Sequence, residues 1–552
     1  MNTTRLSLGQ SALFWIGLAA FALTILFVDP LREVAVDDDW AYVLTVQHLL
    51  KTGSYRPYDW LAANMPFQAY WGGLFAHVLG YSFTSLRTST LALAFLGLIA
   101  FYFLAREHHL NAIQAGLIML ALCASPLVFL FSFSFNTDVP FLACFIIAVF
   151  LYTRAIRLES YPLLFLASIA ACAAILTRQF GLAIPAGVFS LWALSKEARG
   201  KVLFYSSGLI LPIVAASWQL SSGILTPTWV QRHVLHRQGI FFANIETVLS
   251  NILWRPTVIL QYLALFSLPF VLIASLAFAL EIRQRRSIKV QVLLPAVCAI
   301  YIVGGVIYGH FANHLPWFLP YIPWGDMLAH MSRWQRAGMT LITLAGATLY
   351  AYILVLRYST PHSWGRVPPS ERLLDLCTLF LLAEHLIYYT FGDRYLLGFL
   401  PFVLIAVGRY LGSYLNRWRI AMTIVCLAML VISAVWTRGL MAAAEAKWMA
   451  AESIRLAGVE PRHIFGSREW NHYHGVYDDY MAEIGDSIKL DSNEDFWLRF
   501  YPQRREQSQF LIVASARPPG NEKWELVREV PYRDSLFRLQ HTYVVKRGSI
   551  SQ

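Results

Sequence analysis

Apolar runs of roughly 18–22 residues, parted by short polar stretches, recur along the first four-fifths of the chain. A helix of that length crosses the hydrocarbon core of a bilayer, about 30 Å thick. The pattern predicts thirteen spans, at roughly 11–28, 87–105, 111–132, 139–156, 161–176, 180–195, 202–220, 258–280, 291–309, 338–356, 373–391, 395–415 and 419–436. The two flanking Thr177-Arg178 are short for a bilayer. From about residue 437 the pattern changes. A helical segment rich in Ala, Glu and Lys leads to short strand-like runs, Phe510–Ala514 and Tyr543–Val545, separated by Pro, Gly and Asn turns. The expected architecture is an all-α polytopic membrane domain over roughly 1–436, then a small α/β domain over roughly 437–552.

Composition agrees with that reading. Hydrophobic residues make up 57% of the chain and charged residues only 14%, more apolar surface than a soluble domain can bury. A net charge of +11 would point to nucleic acid in a soluble protein. Here the basic residues crowd into alternate short loops (Arg106; Arg154 and Arg157; Lys196, Arg199 and Lys201; Arg417 and Arg419). The positive-inside rule assigns those loops to the cytoplasm, so no nucleic-acid partner is expected. The first run has no small-residue cleavage site after it and reads as an uncleaved signal anchor. An odd number of spans then puts the C-terminal domain on the extracytoplasmic side. All six cysteines fall inside apolar runs and read as small buried residues.

On that topology, the polar candidates gather outside. Three adjacent carboxylates, Asp37, Asp38 and Asp39, follow the first span. Close anions repel and raise one another's pKa, so such a cluster needs a helix N-terminus, a cation or a chemical task. One aspartate could cap the amphipathic surface helix expected from Trp40 to Gly53, and another could favour its dipole; three exceed that need. Asp38 and Tyr42, four residues apart, would meet on one side of that helix. The further external loops carry Asp138, Arg178, His233 and His236, Asp326, and Asp393-Arg394.

The order of these motifs resembles the GT-C superfamily of integral-membrane glycosyltransferases, and within it the bacterial protein O-mannosyltransferase-like and lipid A aminoarabinose transferase-like enzymes. The resemblance is carried by Asp38-Asp39-Trp40-Ala41-Tyr42 opening a surface helix that ends in glycine, and by the span begun at Arg87. Asp138 in the next loop, Leu176-Thr177-Arg178, and the Asp393 to Pro401 segment complete it. It implies an enzyme of the bacterial inner membrane that moves a sugar from a polyprenyl-phosphate donor to a glycan, lipid or protein hydroxyl, with inversion. It assigns the base to Asp38, with Asp39 as alternate. Asp138 would orient the acceptor or bind a metal, Asp37 and Tyr42 would line the site, and Arg87, Arg178 and Arg394 would face the lipid phosphate. Snorkelling beside head groups explains each arginine equally well.

One departure matters. The aminoarabinose transferases carry Glu-Lys-Pro late in the first loop, where this chain has Asn64-Met65-Pro66, so that sugar is not carried over. No cofactor is required by the motifs. His233 and His236, at i and i+3 spacing, are the candidate ligands for a divalent metal that would relieve the aspartate repulsion. The rival from another class is a transporter or flippase of a lipid-linked substrate. It predicts ionisable groups at mid-membrane, for which Glu384-His385 is the main candidate.

Overall fold

The computed structural model describes residues 8–225, 227–284, 288–311, 333–358, 367–389, 392–476, 505–515 and 524–548. Asp326 therefore lies outside the described residues.

Each of the thirteen apolar runs falls on helix. Among the described residues, six helices are long and apolar enough to cross a membrane, or eight if each of two bent pairs counts as one span. Four shorter apolar helices accompany them: Ala12–Val28, Tyr161–Ile175, Gln179–Leu194 and Leu294–Gly305. The eleventh run, on the helix Pro369–Ile387, carries Glu371, Arg372, Asp375, Glu384 and His385 along its length.

Two expected spans are not straight. The run predicted at 258–280 is two helices, Ile245–Phe266 and Leu268–Gln284, bent by 100°. Pro269, in the first turn of the second helix, lacks an amide hydrogen and clashes with a continued helix, which places the break at Ser267. The run at 111–132 bends by 65° between Ala112–Ala124 and Pro126–Ser132, with Pro126 at the start of the second piece.

The shortness of the two runs flanking Thr177-Arg178 also has a cause. Arg178 is extended (φ −152°, ψ 144°), and the chain turns back through the short 3-10 helix Gln179–Leu182. A Cβ on Gly181 would stand 2.5 Å from the backbone nitrogen of Ile175, so only glycine permits this close return. The turn leaves the Arg178 side chain free to reach a neighbouring helix end instead of continuing a helix.

The surface helix forms at Asp39–Thr52, and Gly53 ends it in the left-handed conformation (φ 71°), its N–H returning to the Leu49 carbonyl at 2.8 Å. It does not lie bare on a membrane surface. Trp40, Tyr42, Val43, Val46 and Leu49 are buried, with Pro66–Leu79 on one side and the short helix Arg468–Tyr473 on another.

Past the spans, a single helix of 38 residues, Arg419–Leu456, runs through the expected domain boundary at 436/437. Among the described residues, four strands follow: β1 (Ile464–Phe465), β2 (Phe510–Ser515), β3 (Trp524–Arg533) and β4 (Leu539–Arg547). They form one sheet in the order β1-β2-β4-β3, parallel between β1 and β2 and antiparallel elsewhere. Trp470 is fully buried and donates its indole N–H to Glu452 on the long helix at 3.2 Å, pinning Arg468–Tyr473 to it.

Candidate functional site

The three aspartates divide by environment. Asp39 is fully buried, accepts the Val36 N–H at 2.7 Å, and lies 3.4 Å from Arg87. Arg87 is equally buried and also donates to the backbone carbonyls of Arg32 and Val34. The same loop is held by Glu33, whose carboxylate accepts the N–H groups of Phe83 and Thr84 at the start of the Phe83–Glu107 helix. Asp39 and Arg87 thus brace the loop against that helix. The residues read from the sequence as alternate base and as a lipid-phosphate ligand are therefore paired with each other.

Asp37 and Asp38 point elsewhere. Asp37 adopts φ 58°, a left-handed conformation that aspartate tolerates better than most residues. The turn sets its carboxylate beside that of Asp38 and faces both toward two guanidiniums. Arg394 donates from Nη1 to Asp37 Oδ2 at 2.8 Å and from Nη2 to Asp38 Oδ2 at 2.9 Å. Arg468 Nη2 donates to the Oδ1 atoms of both, each at 3.2 Å. All four carboxylate oxygens are therefore engaged. Asp38 occupies the N-cap position of the surface helix yet makes no side-chain capping bond, so its carboxylate is not spent on the helix.

The electrostatics separate the pair. Burial, followed by repulsion from Asp38, pushes Asp37 up to about 7. Burial also pushes Asp38 upward, but Arg394 and Arg468 outweigh it and hold Asp38 below its ordinary value. Burial and the neighbouring carboxylate thus favour the proton on Asp37, and the two guanidiniums favour the anion at Asp38. Asp38 is also the more accessible, 32% exposed against 14% for Asp37.

A second ion pair stands beside the first. Asp138 opens the Asp138–Leu158 helix and is salt-bridged to Arg178, both nearly buried. The Arg178 guanidinium lies 4.6 Å from the Tyr395 ring centre, and that of Arg394 lies 5.8 Å from the same ring. Tyr42 is buried within the field of Asp38, Arg394, Arg178 and Asp138; burial raises its hydroxyl pKa, so it is a neutral donor. Asp393 accepts the Arg394 N–H at 2.7 Å through one oxygen, while its other oxygen is buried without a hydrogen-bond partner. Asp37, Asp38, Tyr42, Asp138, Arg178 and Arg394 thus come together, as the sequence reading expected.

The histidines do not join them as a metal set. His233 stacks on Trp229, His236 is exposed, and among the described residues no group of three or more His, Cys, Asp or Glu converges on a metal position. The repulsion that a divalent ion was expected to relieve is already relieved by two guanidiniums. The donor set does not fit a metal.

Two further residues adjoin the site. Arg468 comes from the C-terminal segment, 430 residues from Asp38. His472 stacks on Trp40, centroids 4.3 Å apart at 10°, and meets Trp60 edge-on at 4.7 Å. Burial and then Arg468 push His472 down to about 3, so it packs as a neutral ring. A cavity of about 340 Å³ adjoins this junction, lined by Asp37, Arg468, Lys447 and Glu469 at one end and by Leu130, Phe131 and Leu440 among its apolar walls.

Residues 63–218 match the family model described as dolichyl-phosphate-mannose-protein mannosyltransferase. Over that stretch the match bears out the resemblance to GT-C membrane glycosyltransferases. No curated protein matches the chain. Among solved structures, the chain is similar to ArnT from Cupriavidus metallidurans bound to undecaprenyl phosphate, at 15% identity, 98% coverage of both chains and a TM-score of 0.42. It is also similar to the oligosaccharyltransferase AglB from Archaeoglobus fulgidus, at 10% identity, covering 90% of this chain and 69% of that one, with a TM-score of 0.44. At TM-scores below 0.5 these likenesses are distant, and nothing about chemistry follows from them.

Proposed function

We propose that this protein is an inverting glycosyltransferase of the bacterial inner membrane. It moves a sugar from a polyprenyl-phosphate donor to a hydroxyl of a glycan, lipid or protein at the outer face. The observation that carries this reading is the Asp37–Asp38 pair with its two guanidiniums, set beside Tyr42 and the Asp138–Arg178 pair. The family description matched by residues 63–218 also names a lipid-phosphate sugar, which supports the donor class. In this reading the C-terminal segment, from about residue 437, stands on the outer side.

The chemistry needs a base and a cationic seat for the leaving group. Asp38 is the base: an accessible carboxylate kept as an anion by Arg394 and Arg468. As the acceptor oxygen attacks the anomeric carbon, the bond from that carbon to the phosphate oxygen breaks and its electron pair leaves with the phosphate. The hydroxyl proton passes to the Asp38 carboxylate. Guanidiniums match phosphate with paired hydrogen bonds, and Arg178 and Arg394 both lie against the Tyr395 ring to receive it. Both now bind carboxylates, so donor phosphate exchanges with Asp138 or the aspartate pair for a share of those bonds. Met65 stands where the aminoarabinose transferases have lysine, so the sugar stays open.

The test uses membranes supplied with radiolabelled polyprenyl-phosphate sugars. Asp38→Asn is expected to lower transfer by about 10²–10⁴-fold. Undiminished transfer by that variant would sink the base assignment. A C-terminal reporter found on the cytoplasmic side would overturn the topology and the active-site face with it.

A further inference from the structure

We propose that Arg468, supplied by the C-terminal segment, is a positioning residue of the candidate site. With Arg394 it clamps the adjacent Asp37 and Asp38 carboxylates, so the site is complete only when that segment is seated on the membrane-spanning part. The proposal deepens the transferase reading and rests on it for the identity of the reaction.

The clamp is nearly symmetric. Each aspartate gives one oxygen to Arg394, at 2.8 and 2.9 Å, and the other to Arg468, at 3.2 Å in both cases. One arm belongs to the membrane domain and the other does not. Arg394 is held by the short helix Asp393–Phe399, next to the span Leu400–Leu411. Arg468 opens the helix Arg468–Tyr473, which Ser467 caps by accepting the Trp470 N–H at 3.2 Å.

Three fastenings fix where Arg468 points. Trp470 is bonded to Glu452 at 3.2 Å, Asn471 accepts the Gly466 N–H at 2.9 Å, and the ring of His472 is stacked on Trp40. Trp40 is only two residues beyond Asp38, so the same six-residue helix grips the base-bearing loop at both its charged and its aromatic faces. A side chain that merely filled a surface gap would not need this scaffold.

The chemical consequence concerns which carboxylate carries a proton. Two adjacent anions with one guanidinium leave an uncompensated negative charge; two guanidiniums balance it. Removing Arg468 therefore favours protonation of the pair and withdraws the anion that accepts the hydroxyl proton. Arg468 does this through Asp38 and need not touch substrate.

Full-length protein in detergent provides a readout that needs no substrate. Arg468→Gln is expected to lower the melting temperature more at pH 8.5 than at pH 5.5, because the unbalanced pair is charged only at the higher pH. Adding Asp37→Asn to Arg468→Gln is expected to remove most of that difference. Arg462→Gln, at an exposed arginine paired with Glu460 in the same segment, serves as the control. An equal loss at both pH values overturns the proposal, whether or not transfer is seen.

In the transfer assay, Arg468→Gln is expected to cut kcat at least tenfold and move the acidic limb of its pH profile upward, with KM for the donor changing less. Arg468→Lys, which keeps the charge and is the gentler change for folding, should restore part of the rate. A raised KM with an unmoved pH profile would also overturn the proposal, by making Arg468 a plain donor contact. If the pH-dependent melting difference appears while no polyprenyl-phosphate sugar is transferred by the wild type, the clamp stands and the transferase reading fails.

Discussion

Arg87 meets Asp39 at 3.4 Å with both side chains wholly shielded from solvent, and this pair sets Asp39 apart from its two neighbours. Asp39 belongs to the architecture of the first loop, whereas Asp37 and Asp38 belong to the site. The division has measurable consequences.

Arg87→Met would leave Asp39 and two backbone carbonyls without their donor. Breaking a buried ion pair on one side costs roughly 3–5 kcal/mol. The expected outcome is a large fall in melting temperature and in the yield of folded protein from membranes. A variant with wild-type thermal stability and selective loss of transfer would return Arg87 to the list of substrate contacts.

Asp37 makes a prediction about pH and stability. Its folded pKa, about 7, lies above the usual carboxylate value, so the folded state holds the proton more tightly than the unfolded chain. That contribution is fully present below about pH 4 and is lost as pH rises through about 7. Asp39, also pushed up to about 7 by burial, acts in the same direction. Asp37→Asn cannot ionise and should flatten part of the decline in melting temperature between pH 5 and 8, leaving the Asp39 share. Thermal unfolding across that range checks it; an unchanged slope contradicts the assignment.

The Asp138–Arg178 pair should behave as a coupled unit. Arg178→Gln strands a buried carboxylate and is expected to reduce both stability and transfer. Adding Asp138→Asn should recover much of the stability but none of the transfer, because the guanidinium facing Tyr395 is still missing. A double-mutant cycle on melting temperature and on kcat/KM separates the two effects.

The His472–Trp40 stack predicts how firmly the C-terminal segment is seated. His472→Ala should cost roughly 0.5–1.5 kcal/mol beyond lost area, seen as faster limited proteolysis near residue 470. Burial holds His472 neutral whereas the unseated ring titrates near its ordinary 6.5, so its contribution to seating is lost as pH falls through that value, and His472→Ala should remove this acid-side rise in cleavage.

Much of the fold was legible in the sequence, because a bilayer imposes a length on its helices and that length shows as runs of apolar residues. The bend at Ser267 was legible too, through Pro269, but the run at 258–280 was read as one span on hydropathy alone. Asp38, Tyr42, Asp138, Arg178 and Arg394 were picked out by motif order, and the structure brings them together. Their partners were not legible: the Asp138–Arg178 and Asp39–Arg87 pairs join positions 40 and 48 residues apart. Arg468 was harder still. Nothing local ties Arg468 to a loop 430 residues earlier.

The 38-residue helix Arg419–Leu456 has a mechanical consequence. At 1.5 Å per residue it is about 57 Å long, roughly twice the hydrocarbon thickness of a bilayer. It is a stiff mast stepped in the membrane, and near its head Glu452 holds Trp470. Pivoting such a mast by about 2° at its foot swings the head by roughly 2 Å. That travel is enough to part Arg468 from the carboxylates it bonds at 3.2 Å, so the lean of one helix reaches the candidate site directly.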